Sequence, residues 1–120
     1  MPGQGAAGHV TLILLFNNVG TTACKIYGYP GVDLLSKTGK VVAHAQRTLS
    51  GMAGGATGLT AITLAPGKSA SALLEASDVP QGSITDCGSY SLNVTPPGQY
   101  VAVPATPATM PKCDLQIHPV

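Results

Sequence analysis

Short runs of alternating side chains, separated by turns rich in Gly and Pro, occur along the whole chain. The clearest run covers residues 9–17, where every second residue is large and apolar: Val10, Leu12, Leu14 and Phe16. This period of two predicts a β-strand with one apolar face. The residues between them are also mostly apolar, so we expect this strand to be central and covered on both sides.

The same reading gives a series of short strands along the rest of the chain. The further predicted strands are 22–27, 32–35, 40–45, 59–64, 69–76, 89–95, 100–103 and 113–118. In residues 69–76, Leu73 and Glu75 share one face, whereas residues 104–112 are predicted to be a Pro-rich loop. No window of ten residues combines a helical period with capping signals.

These strands predict an all-β protein, specifically an immunoglobulin-like β-sandwich of about eight short, mostly antiparallel strands. The 120 residues suit a single domain, 1–120. Within it we expect residues 1–8 to be a flexible N-terminal edge and residues 46–58 to be a mobile Gly-rich loop. The chain has no Trp, so the likeness to immunoglobulin domains is one of architecture only.

Composition narrows the classes of partner. Charged residues make up 9% of the chain and the net charge is +1, with no basic stripe, so we expect no nucleic-acid partner. The longest apolar stretch, residues 10–16, is too short to span a membrane, and no basic segment precedes it as in a secretory signal. We interpret the start as the trimmed edge of a longer, exported precursor, although a cytosolic chain with an initiator Met would begin in the same way.

The three cysteines add a constraint. If strands 89–95, 100–103 and 113–118 form an up-down-up meander, Cys87 and Cys113 lie at the same end, which predicts a disulfide between them. Cys24 would then be left over, and we expect it to be buried and inert on a central strand. The alternative is three unpaired thiols, as in a cytosolic protein.

Candidate chemistry is sparse. The only histidines are His9, His44 and His118, and none of their spacings matches a metal motif. We expect them to lie at the surface or at strand edges; the alternative is that they converge from separate strands with Asp33 or Asp114. The sequence has no Gly-x-Ser-x-Gly nucleophile motif, and its five carboxylates are scattered. We therefore expect no catalytic, cofactor-binding or metal-binding residues.

One turn is a candidate for recognition. Tyr27 and Tyr29 flank Gly28 just before Pro30, and tyrosines on a loop that a rigid scaffold positions can form a binding patch. The alternative is that one ring packs as an anchor and bonds the backbone through its hydroxyl.

Several segments together carry a resemblance to a known family. They are the opening GAAGHV at 5–10, FNNVG at 16–20, CKIYGYPGV at 24–32, LAPG at 64–67, Cys87, VTPPGQ at 94–99 and the closing strand from Cys113. With these segments the chain resembles an actinobacterial, notably mycobacterial, family known as domain of unknown function 4232. The likeness spans nearly the whole chain, and the Gly-Tyr-Pro-Gly-Val run after a cysteine is its most specific part.

The resemblance implies an exported β-sandwich, often a lipoprotein or a protein with a membrane tether in its precursor, and it implies no activity. It also implies a cysteine upstream of residue 1 as a natural partner for Cys24. We therefore expect an extracytoplasmic protein, secreted or associated with the cell envelope. Its expected role is a non-catalytic interaction or structural module whose partner is an unknown protein or envelope component. The alternative is a small-ligand or metal carrier, and an enzyme is the weaker third option.

Overall fold

The computed structural model describes residues 4–6, 8–49, 58–79, 86–97 and 103–120, which form eleven β-strands. The strands are β1 (Gln4–Ala6), β2 (His9–Asn17), β3 (Cys24–Ile26), β4 (Gly31–Leu35), β5 (Val41–His44), β6 (Gln46–Arg47), β7 (Ile62–Leu64), β8 (Ser69–Ser77), β9 (Tyr90–Thr95), β10 (Val103–Met110) and β11 (Cys113–Ile117). These residues include no helix that could cross a membrane.

The strands form two main sheets and one small one. The five-stranded sheet has the order β1-β2-β8-β11-β6, the four-stranded sheet the order β10-β9-β4-β5, and β3 pairs with β7. Every pair is antiparallel except β11 with β6. The predicted all-β class is confirmed, and the two-layer, mostly antiparallel arrangement agrees with an immunoglobulin-like sandwich.

The hydrophobic core lies between the two main sheets. The five-stranded sheet contributes alternate residues of β2, β8 and β11, and the four-stranded sheet contributes residues of β4 and β9. Fully enclosed side chains from both sheets meet there, among them Leu34, Leu74, Leu92 and Ile117. Because a strand alternates its side chains, burying one face turns the other face away from the core.

The longest pairing joins β2 to β8 over nine residue pairs, from His9 opposite Ser77 to Asn17 opposite Ser69. Leu14 and Ala72, which face each other in this register, are both buried in the core. The residues one position along each strand, such as Ile13 and Leu73, therefore point to the opposite side of the sheet.

The C-terminal third differs from the sequence prediction in two ways. The predicted Pro-rich loop at 104–112 is largely strand β10, which is possible because β10 is the edge of the four-stranded sheet. A proline cannot donate to a ladder, so edge strands and bulges are where sheets accept it, and the pairing shifts register between Pro104 and Thr109. The predicted meander is also wrong. Strand β11 pairs with β8 in the five-stranded sheet, whereas β9 and β10 belong to the four-stranded sheet.

The disulfide between Cys87 and Cys113 is present, with the two Cα atoms 5.2 Å apart. Because β11 changes sheets, the bridge connects the segment before β9 with the start of β11 and so joins the two main sheets near one end. Cys24 corrects another expectation. It is exposed on β3, which pairs only with β7 in the described chain, rather than buried on a central strand.

Two predicted mobile regions lie partly outside the described residues. The predicted N-terminal edge, residues 1–8, includes β1, which pairs with the start of β2. The predicted loop at 46–58 begins with β6, which adds to β11 as the parallel edge of its sheet. Residues 1–3, 7 and 50–57 lie outside the description.

Candidate functional site

One side of the five-stranded sheet faces away from the core, and we call it the outer face. In the described chain, this face combines buried ionisable side chains with exposed apolar ones. Its residues on β2 are His9, Thr11, Ile13, Leu15 and Asn17, and those on β8 are Ser69, Ser71, Leu73, Glu75 and Ser77. His118, just after β11, belongs to the same face. One half of the face is ionisable and buried, and the other half is apolar and exposed.

The ionic half consists of Glu75, His9 and His118, and the strand register brings them together. Glu75 stands opposite Thr11 of β2 and opposite Gln116 of β11. His9 is two residues before Thr11, and His118 is two residues after Gln116, so each histidine is a diagonal neighbour of Glu75. Long side chains reach such diagonal neighbours across a sheet.

Each carboxylate oxygen of Glu75 faces one imidazole. Nε2 of His118 lies 2.5 Å from Oε2, and Nε2 of His9 lies 2.9 Å from Oε1. The His118 contact is a hydrogen bond, whereas the His9 ring lies at hydrogen-bond distance without the required alignment. The exposed fractions of the Glu75, His118 and His9 side chains are 2%, 0% and 12%.

This arrangement connects three adjacent strands, β2, β8 and β11. A carboxylate buried this deeply needs partners, because an uncompensated charge away from water is costly. The Nε2 atoms of both imidazoles lie within 2.9 Å of a Glu75 oxygen, and only the His118 contact is aligned as a hydrogen bond. The Glu75 carboxylate therefore links β2 and β11 to β8, and the His118 ring that it contacts is fully enclosed.

Beside His9, at the end of the ionic half, Gly8 packs closely against Asp78 and Val79. Gly8 has a φ of 87°, and a Cβ built on it would lie 2.4 Å from Cγ2 of Val79. Asp78 donates its backbone N–H to the carbonyl of Gly8 at 2.9 Å. Only glycine combines this backbone conformation with such an approach, so Gly8 lets the turn after β8 pack against the start of β2.

The apolar half contradicts the expectation that β2 is covered on both sides. Ile13 is 63% exposed and Leu15 is 65% exposed, although Leu14 between them is buried. Ile13 stands opposite Leu73, which is half-buried, and Leu15 stands opposite the exposed Ser71. The two large side chains therefore form an apolar strip with a hydroxyl-bearing border.

The sequence contained a signal for one half of the face and none for the other. Glu75 is the only charged residue in the otherwise neutral strand β8 (Ser69–Ser77), and a lone carboxylate among buried apolar residues indicates a paired charge. The alternation within β8 puts Glu75 on the same face as Leu73 but does not identify its partners. Ile13 and Leu15 look like core residues, because the sequence does not record whether a second layer covers their side.

The three histidines separate into two environments. His9 and His118 contact Glu75 rather than Asp33 or Asp114, and the enclosed His118 contradicts the expectation of surface or edge histidines. His44 hydrogen-bonds to Asp33, which faces it across β4 and β5, and this pair lies at the surface. Asp114 instead accepts a hydrogen bond from the side-chain amide of Gln116 at 2.7 Å. Across the described ranges, no group of three His, Cys, Asp or Glu residues is arranged to hold a metal ion.

The predicted recognition turn is divided between its two interpretations. Tyr27 is 55% exposed and is therefore available to a partner. Tyr29 is half-buried against the core cluster, and the guanidinium carbon of Arg47 lies 5.5 Å from its ring centroid. The Tyr29 ring is thus a packing residue with a cation over it, and Tyr27 alone faces solvent.

Comparison of the sequence with known protein families assigns the chain to a family. The profile of the family described as "Domain of unknown function (DUF4232)" matches residues 1–120. No curated protein and no solved structure matches the chain.

Proposed function

Because the chain belongs to the DUF4232 family, whose description assigns no activity, we propose a function from the geometry of the outer face. The protein is an extracytoplasmic, non-catalytic interaction module that binds another protein or an envelope component through its apolar half. Ile13 and Leu15 are the central contacts. The proposal rests on one observation, which is that two large aliphatic side chains are mostly exposed in the middle of a nine-residue strand.

The exposure of two neighbouring apolar side chains favours a surface that binds a partner. Single exposed apolar residues are common on proteins, whereas adjacent ones with a polar border are typical of binding surfaces. Ile13 and Leu15 are neighbours on one face of β2, and Leu73 extends the strip across β8. The hydroxyls of Ser69 and Ser71 provide the polar border that interfaces usually have.

The ionic half gives this surface a rigid support. The Glu75 carboxylate ties β2 and β11 to β8, the strand that carries Leu73. A binding strip on strands held in this way loses little conformational entropy when a partner binds. This division of roles supports a module that recognises a partner without transforming it.

Export is the second part of the proposal. The disulfide between Cys87 and Cys113 favours an oxidising compartment, because cytosolic thiols are kept reduced. We propose on this basis, and on the family resemblance, that the protein works outside the cytoplasm of an actinobacterial cell. A mass-spectrometric measurement of the Cys87–Cys113 bridge in fractionated cells tests this, and a reduced, cytoplasmic pool as the main form would contradict it.

The interaction role is tested by site-directed photocrosslinking. The photoreactive residue p-benzoylphenylalanine replaces Leu15 in one variant and Val41 in another, and each purified protein is irradiated with envelope extract from the cell that produces it. Val41 is a matched control, since it is also exposed but lies on β5 of the other sheet. We expect a discrete adduct from position 15 that is missing at position 41.

A second variant separates specific binding from general stickiness. Adding Ile13→Ser to the position-15 probe should abolish the adduct, since the serine removes half of the apolar strip and leaves the probe in place. The proposal is wrong if both probe positions give the same adducts, if position 15 gives none, or if the adduct survives Ile13→Ser.

A further inference from the structure

One edge of strand β2 pairs with β8 along its whole length, whereas the other edge is only partly occupied. Strand β1 covers this second edge from His9 to Thr11 and extends no further in the described residues. Of the strands that the structure describes, only β8 and β1 lie beside β2. Residues 12–17 therefore have no neighbouring strand on this side within the described part of the chain, and we call this stretch the open edge.

The ladder between β2 and β8 shows which backbone groups point to the open edge. Just after β2, Asn18 donates its backbone N–H to the carbonyl of Lys68 at 2.9 Å, so an even-numbered residue bonds to the β8 side. Successive residues of a strand direct their N–H and C=O groups to alternate edges, and this ladder has no register shift. The N–H and C=O groups of Ile13, Leu15 and Asn17 therefore point to the open edge.

The open edge lacks the features that keep the other edges of the two main sheets from pairing. Exposed sheet edges are usually protected by short length, prolines, irregular pairing or charged side chains. Strand β6 has two residues, and β10 contains two prolines and a register shift. Strand β5 follows Lys40 and ends at His44. The open edge, with the sequence LILLFN, has no charged residue, proline or glycine, so it is suited to accept another strand.

Apolar side chains are incompletely covered on both sides of the open edge. On the outer face, Ile13 and Leu15 are mostly exposed. On the core side, Leu12 and Phe16 are only half-buried, although Leu14 between them is buried. A strand added here would run beside all of these side chains and would remove apolar surface from water.

From these features we infer that the open edge pairs with the open edge of a second copy of the chain. The two strands run antiparallel about a two-fold axis at Leu15, which places Leu15 opposite its own copy and Ile13 opposite Asn17 of the second copy. This register uses all three residues whose backbone groups point outward, and it stops before the residues that β1 covers. A two-fold interface requires a self-complementary surface, and an uncharged strand edge meets its own copy without repulsion.

This inference rests on the proposed function, because it extends the same apolar half. Strands that pair edge to edge lie in the plane of one sheet, so the outer face stays uncovered. The apolar halves of the two copies become neighbours and form one wider strip. The dimer would therefore offer the external partner a larger apolar surface than a single chain does.

Disulfide trapping tests the register, in a Cys24→Ser background that removes the free thiol. Directly opposite residues of antiparallel strands have Cα atoms about 5.5 Å apart, which a disulfide can span. We expect Leu15→Cys to give a covalent dimer on mild oxidation. Ile13→Cys is the matched control, because it is equally exposed on the same strand. Its two copies would lie four residues apart along the ladder, which is too far for a disulfide.

Sedimentation analysis tests the dimer itself. The Cys24→Ser protein should sediment with twice the mass of one chain and should dissociate on dilution. Leu15→Lys in this background should weaken the dimer by about tenfold or more, because two ammonium groups then face each other at the axis. Ser71→Lys is the matched control. Ser71 is exposed opposite Leu15 on the same face, but it lies one strand away from the open edge, so this variant should remain a dimer.

The possible failures of the dimer and of the proposed function can be told apart. The inference is overturned if the Cys24→Ser protein is a monomer at every concentration, if both lysine variants dissociate equally, or if Leu15→Cys does not cross-link more readily than Ile13→Cys. A monomer that still forms the position-15 photoadduct with an envelope component would overturn the dimer alone. A dimer that forms no such adduct would overturn the proposed function alone.

Discussion

The two halves of the outer face reverse the usual distribution of side chains. Toward one end of β8, the Glu75 carboxylate and the His118 imidazole are enclosed, with the partly exposed His9 imidazole beside them. Toward the other end, two aliphatic side chains, Ile13 and Leu15, are largely in water. Both halves lie on the same strands and obey the same alternation. Because the strand geometry is the same in both halves, the difference in exposure comes from the segments that cover one half and not the other.

This contrast assigns the ionic half to stability and the apolar half to the proposed partner binding. A buried ionic group survives only with well-placed partners, so the ionic half is a demanding structural element. An exposed apolar strip contributes little to the stability of the fold, so its presence favours the proposed role in binding a partner molecule. The two halves should respond in opposite ways to substitution, with large losses of stability in the first and losses of binding in the second.

The largest effect is expected from Glu75→Gln, which keeps the size of the side chain and removes its charge. We expect the free energy of unfolding to fall by about 3–5 kcal/mol, because the buried His118 imidazole and the partly exposed His9 imidazole lose their charged partner. Asp33→Asn is the matched control at the exposed His44 pair, where the loss should be about 0–1 kcal/mol. Urea denaturation measures both, and equal losses would show that the ionic half is not a buried anchor.

The next comparison uses two neighbouring leucines on opposite faces of β2. Leu14→Ala should cost about 2–5 kcal/mol, because it leaves a cavity in the core. Leu15→Ala should change the free energy of unfolding by less than about 0.5 kcal/mol, as expected for an exposed side chain. Thermal denaturation of the two variants is sufficient, and a large loss for Leu15→Ala would mean that the apolar half is covered.

A smaller difference is expected within the ionic half. The His118 ring is fully enclosed and hydrogen-bonded, whereas the His9 ring is partly exposed and poorly aligned. His118→Gln should therefore destabilise the protein by about 2 kcal/mol and His9→Gln by about 1 kcal/mol. Denaturation under identical conditions checks the order, and a greater loss for His9→Gln would contradict the assigned geometry.

The smallest effect on stability is expected at Cys24, which tests exposure outside the outer face. Of the three cysteines, two form the disulfide, so one thiol per chain should react with a thiol reagent under native conditions. Cys24→Ser should abolish the reaction and change the free energy of unfolding by less than about 0.5 kcal/mol. A thiol that reacts only after unfolding would restore the sequence-based expectation of a buried Cys24.

Much of the fold followed from local pattern. The period of two predicted β2 with its correct boundaries and β8 to within one residue, and it placed Leu73 and Glu75 on one face. The candidate site was only partly predicted. The sequence predicts surface or edge histidines and allows convergence only with Asp33 or Asp114, and it does not single out Glu75, because the diagonal neighbours of Glu75 depend on which strands flank β8.

The sequence by itself determined the all-β class and the approximate positions of most strands. These properties depend on side-chain period and turn residues, which are local. Only the tertiary structure decided that β11 joins β8, that Glu75 is enclosed and that Ile13 and Leu15 meet water. Strand pairing and the covering of a sheet face are contacts between distant segments, and the alternation within a single strand is the same whether its second face is covered or open.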